Sequence, residues 1–99
     1  MSTPLDQIPA EDFTALIGQA LAAEAADRGF ALSVESTEVS PHPTGRALPG
    51  FAVRLRGPAG LELGQGVYAI EHPQHGRLEV FMTPIRRDAS GMLLEAVFN

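Results

Sequence analysis

A chain of 99 residues builds one hydrophobic core, burying roughly 60 to 65% of the unfolded chain's surface, and leaves little room for a large active-site cavity. With 44% hydrophobic residues, 19% charged residues and no cysteine, it belongs to the folded class held by packing; disulfide frameworks, thiolate metal sites and thiol nucleophiles are excluded. The net charge of −5 is uneven, because residues 1–38 carry seven acids against Arg28 whereas residues 39–99 carry five acids against six arginines. Neither part offers the basic face that nucleic acid requires.

No basic and apolar leader opens the chain, and no run of about 18 apolar residues follows. The expectation is a cytoplasmic protein without a membrane segment. Residues 1–8 are polar apart from Leu5 and Ile8 and read as a flexible lead-in. Pro9, Glu11 and Asp12 then stand where a helix's first turn favours proline and acids, and Phe13, Leu16, Ile17, Ala20 and Leu21 recur at helical spacing. A short helix over 9–17 is expected.

Its end is ambiguous. Alanine, leucine and glutamate favour helix through Gln19–Ala25, while Gly18 is a natural stop, after which the same residues form a strand that turns at Ala26 to Gly29 and pairs with the next run. Phe30, Leu32 and Val34 alternate with Ala31, Ser33 and Glu35 as a half-buried strand, and the phase falters at Ser36 and Thr37, predicting a bulge. Pro41 to Gly50 is the longest turn-forming stretch and reads as an exposed loop. Phe51, Val53 and Leu55 resume the alternation with Arg54 and Arg56 opposite.

The clearest local signal is a hairpin in 64–81. Tyr68 and Ile70 alternate with Val67 and Ala69; Leu78, Val80 and Met82 alternate with Glu79 and Phe81; His72 to Gly76 supplies the turn. The second arm runs to Pro84 and Ile85, a turn follows over Arg86 to Gly91, and Met92–Phe98 is a last strand, so the C-terminal part is an antiparallel meander. The fold class is mainly β, with α+β as the alternative: residues 19–99 form a strongly curled sheet or small barrel of five or six strands, with the helix packed on it. Bulky groups on both faces of 78–85 mean that the helix covers the outer side or that one face is an interface.

For chemistry the sequence offers little. His72 and His75 are three apart and His42 lies in another loop; the spacing supports no metal site, and rings on the rim of a turn are expected to be solvated. Glu62, Glu71, Glu79 and Glu95 read as the wet face of a sheet rather than a carboxylate pair. No serine has a nucleophile-elbow context, and Gly64-Gln65-Gly66 enters a strand, not a helix N-terminus. No catalytic residue, cofactor or metal is assigned. Candidate partner-binding residues are Arg54, Arg56 and Tyr68 as one strip and, on the exposed one of the two apolar faces of 78–85, Met82 or else Phe81 and Ile85, with cross-strand ion pairing as the competing role for the arginines.

Four motifs recur in order: Phe-x-Val-x-Leu-Arg-Gly-Pro over 51–58, Leu-x-Gln-Gly-x-Tyr-x-Ile-Glu-His-Pro over 63–73, Gly-x-Leu-Glu-Val-Phe-Met-x-Pro-Ile over 76–85 and Glu-Ala-Val-Phe-Asn over 95–99. Together they resemble a family of small bacterial proteins of unknown function. Relatives carry a bulky residue in strand context after Gly18 and an aromatic where this chain has Leu94; His72 matches the family pattern and His75 does not. The resemblance implies a strand for Gln19–Ala25 and a genomic setting beside phage-tail-like collar or fibre proteins. The functional expectation is a non-enzymatic structural or protein-binding module, accessory to such an assembly, whose partner is a second copy or a tail- or fibre-like chain. A small-ligand-binding barrel is the alternative, and an enzyme comes third.

Overall fold

The structure, a computed structural model, describes residues 3–41 and 48–98. Six strands, β1 (Ala20–Ala25), β2 (Arg28–Val39), β3 (Phe51–Arg56), β4 (Gly66–His72), β5 (Gly76–Asp88) and β6 (Gly91–Phe98), close into an antiparallel barrel in the order β1-β2-β3-β6-β5-β4. The curled sheet read from the sequence is therefore a closed barrel, and β4, β5 and β6 are its meander.

Period-2 alternation decides which side chains fill it. Leu32 and Val34, Val53 and Leu55, Ile70, Leu78 and Met82, and Leu94 and Ala96 all point inward and are almost wholly buried. They occupy the barrel axis as a solid core. Two bulges bend the strands around it. One lies between Val34 and Ser36 opposite β3, where the sequence phase falters. The other leaves Ile85 as an extra residue between the Pro84↔Leu94 and Arg86↔Leu93 pairs. Because of that second bulge β5 continues to Asp88, and the predicted turn over Arg86 to Gly91 shrinks to Ala89 and Ser90.

The helix is shorter than its pattern. Only α1 (Glu11–Thr14) is regular, since Gly18 takes φ +92° and the backbone then bonds to β2, Gly18 N–H donating to Val34 O at 2.8 Å and Val34 N–H to Gln19 O at 2.9 Å. Those bonds commit the alanine-rich stretch to β1, where tertiary pairing outweighs helix propensity. Nor does α1 lie along the outside of the sheet. Phe13 enters one open end of the barrel, with its ring 6.1 Å from Phe51, 5.3 Å from Phe98 and 5.0 Å from His72. The lead-in is tied down as well, for Leu5–Gln7 form one 3-10 turn and Ile8 is fully buried.

Between β1 and β2 the turn is two residues, Ala26 and Asp27, with φ of 51° and 63°. Both sit in the left-handed region that hairpins of this kind demand, without the Asn-Gly that supplies it easily. At the same end Gly91 (φ +124°) lies so close to Gly57 that a Cβ would fall 2.0 Å from the Gly57 carbonyl oxygen. His42 and most of the Pro41–Gly50 loop lie outside the described residues.

Candidate binding surfaces

Of the six residues singled out from sequence, the structure divides the set. Met82 is fully buried in the barrel axis and Tyr68 is 3% exposed, so neither stands on the outer face of the barrel. Inward alternation places them with Leu78 and Ile70. The Tyr68 hydroxyl donates to the Gly64 carbonyl, and burial pushes its phenol pKa up. Arg56 is engaged within the fold. Its guanidinium is held by Glu35 and Asp88, the Glu35 contact foremost in raising its pKa, while Asp88 is lowered chiefly by Arg56. Arg56 and Arg86 flank Leu93 in the register, and this cover leaves Leu93 buried although it alternates outward from Met92 and Leu94. Arg54 pairs with Glu95 at 3.3 Å on the open outer face.

Phe81 and Ile85 remain, 54% and 45% exposed. Phe81 is opposite Val67, and the Met82↔Ala96 register carried one step further sets it beside Val97, which is in turn opposite Ala52. Val67 and Val97 are 60% and 52% exposed. A row of outward apolar side chains thus crosses β4, β5, β6 and β3, with Ile85 further along β5. Val67 and Val97 were missed in sequence, though a hairpin closed by His72↔Gly76 already implies Val67 opposite Phe81.

A second feature is the seam that closes the barrel. β4 pairs with β5 through seven residues but with β1 only through Ala23↔Ile70 and Glu24↔Ala69. Where the β1–β2 hairpin turns away, Gly66–Tyr68 have no β1 partner, and a cleft of about 250 Å³ opens between Ala25, Phe30, Leu63 and Tyr68, with Arg28 and Glu62 on its rim. Phe30 and Tyr68 meet edge to face at 6.0 Å.

At the opposite end sits the histidine pair, and here the expectation of solvated rings is corrected. His72 is 3% exposed under Phe13. Its Nδ1 accepts the main-chain N–H of Gln74 and His75 at 3.0 and 3.3 Å, which makes Nε2 the protonated nitrogen, and Nε2–H donates to the Asp12 carbonyl at 3.0 Å. Burial holds its pKa below the ordinary value, with the Asp12 bond opposing and the nearby His75 adding to the shift. His75 Nε2 meets the Asp12 carboxylate at 2.6 Å and Nδ1 meets the Thr3 hydroxyl at 2.7 Å. These contacts fasten the N-terminal segment to the β4–β5 turn. Among the described residues no group of three or more His, Cys, Asp or Glu side chains could hold a metal, and no helix is long and apolar enough to cross a membrane.

No curated protein and no solved structure matches the chain. A family model does, over residues 8–98, a span that runs from the buried Ile8 to Phe98 and so takes in α1 and all six strands. On that match the chain belongs to the DUF6916 family, a domain of unknown function.

Proposed function

We propose that this domain is a non-enzymatic protein-binding module whose contact face is the outer row of Val67, Phe81 and Val97, extended by Ile85. The observation that supports this reading is the row itself: neighbouring apolar side chains on adjacent strands, each about half exposed, on a barrel whose interior is already filled. Covering the exposed part of each side chain gains about 1 kcal/mol. That total is far short of the roughly 8 kcal/mol of a micromolar complex, so the contact extends over the flanking polar groups Glu79, Thr83 and the Arg54–Glu95 pair.

The partner is another protein chain, a second copy or a tail- or fibre-like protein, and the role is accessory to a phage-tail-like assembly. The setting is the cytoplasm or a larger particle built there. The test is binding of the purified domain to the purified products of neighbouring genes, with Phe81→Glu as control. Capture lost in the variant, with unchanged melting, supports the reading; capture that survives the substitution removes the outer row from the contact.

A further inference from the structure

We propose that the cleft at the open end of the β1–β4 seam receives the C-terminal carboxylate of a polypeptide chain that ends in an apolar residue. The charge argument comes from Arg28. Among the described arginines, Arg54, Arg56, Arg77, Arg86 and Arg87 each lie within ion-pair distance of a carboxylate. Arg28 has none, and it stands on the rim of an apolar cleft. A guanidinium that no described side chain engages is free for a bidentate bond to a carboxylate. Glu62, on the same rim, is engaged by Arg87 at 3.2 Å, which offsets its charge; Asp27 stands exposed on the adjoining turn.

The shape argument comes from the walls. Phe30, Leu63 and Tyr68 give an apolar surface, and about 250 Å³ is below the usual range for drug-sized ligands, a size suited to one large side chain. The edge of β4 supplies the rest. Gly66, Val67 and Tyr68 pair with β5 on one side and have no strand partner on the other, so an extended main chain entering beside them meets backbone donors and acceptors. That edge favours the end of a chain over a free small acid, which shares the carboxylate and apolar group but has no main chain to pair. Ala26, the first residue of the β1–β2 turn, lies on the wall of the same cleft. The site is separate from the outer row, sharing only Val67 with it.

The experiment is calorimetric titration at low ionic strength with three probes: the acetylated peptide Gly-Ser-Gly-Val-Phe with a free carboxylate, the same peptide as its C-terminal amide, and 3-phenylpropionate. The free-acid peptide should saturate the protein, while the amide, 3-phenylpropionate and the free-acid peptide on Arg28→Gln should each bind at least about tenfold more weakly. Arg28→Gln should melt as the parent does, because the side chain is exposed. Val97→Glu, on the outer row and away from the cleft, should leave peptide binding unchanged even where it abolishes partner capture, so the two proposals fail separately. Equal binding of acid and amide, indifference to Arg28→Gln, or no heat up to about 5 mM peptide would overturn the proposal. Binding of 3-phenylpropionate as tight as that of the peptide would overturn the chain-terminus assignment in favour of a small free acid.

Discussion

His72 donates its Nε2–H to the main-chain oxygen of Asp12 at 3.0 Å, a bond between residues 60 apart in sequence that ties the N-terminal cap to the β4–β5 hairpin. The neutral imidazole is required, since Nδ1 faces two main-chain donors and has no room for a second proton. Its folded pKa is lowered from 6.5. Well above pH 6.5 both folded and unfolded states hold it neutral and its contribution is complete; as the pH falls through 6.5, the unfolded chain takes up the proton first and stability falls until the folded pKa is passed. Melting between pH 7.5 and 5.5 should therefore drop for the parent and drop less for His72→Gln. Removing the ring should also lower stability by about 1–3 kcal/mol at pH 7.5, the usual cost of leaving buried polar groups unpaired. Parallel pH profiles for the two proteins would refute the assignment.

Phe98 stacks on Phe51 with centroids 4.5 Å apart and planes within 4°, and both rings meet Phe13. Phe98→Ala should cost about 3 kcal/mol in denaturant unfolding, and removal of 97–99 should cost at least as much. An unchanged melting point after that truncation would mean that β6 does not close the barrel.

Gly91 is a position where a single methyl is harmful. A Cβ there meets main-chain atoms of Gly57 and Pro58, which cannot move aside, at a φ of +124°. Gly91→Ala should destabilise by about 3 kcal/mol or more. At Gly57 the first atom met is the Leu63 side chain at 2.6 Å, so Gly57→Ala should be milder. The reverse order in thermal melts would show that the strands do not approach as described.

Ala26 and Asp27 invite the opposite experiment. Replacing them by Asn and Gly supplies the residues their left-handed turn favours and should stabilise the domain by about 1–2 kcal/mol. A loss of stability would mean that the turn has another conformation.

Much of the barrel is legible in the sequence because period-2 alternation is a local property. Phe51, Val53 and Leu55 against Arg54 and Arg56 mark an inner and an outer face, and the faltering phase at Ser36 marks a bulge. Alternation says which residues share a face and not which face is inside. Tyr68 and Met82 could thus be named as contacts although both line the axis. Gln19–Ala25 stays ambiguous because its alanines suit either state, and only the bonds to Val34 decide it. His72 looks solvated beside Pro73, since nothing within the hairpin signals that Phe13 and Asp12 roof it. Arg28 is unremarked for a similar reason: its isolation shows only once every other described arginine has found its carboxylate.

The outer row is the centre of the functional account, and Phe81 is its middle. Association of the purified domain with itself and with the neighbouring gene products, measured by light scattering and by titration for the parent and for Phe81→Glu, tests it most directly. The account predicts a complex for the parent, binding at least about tenfold weaker for the variant, and equal melting points. A parent that stays monomeric and binds none of those proteins, or a variant that binds as well as the parent, would contradict it.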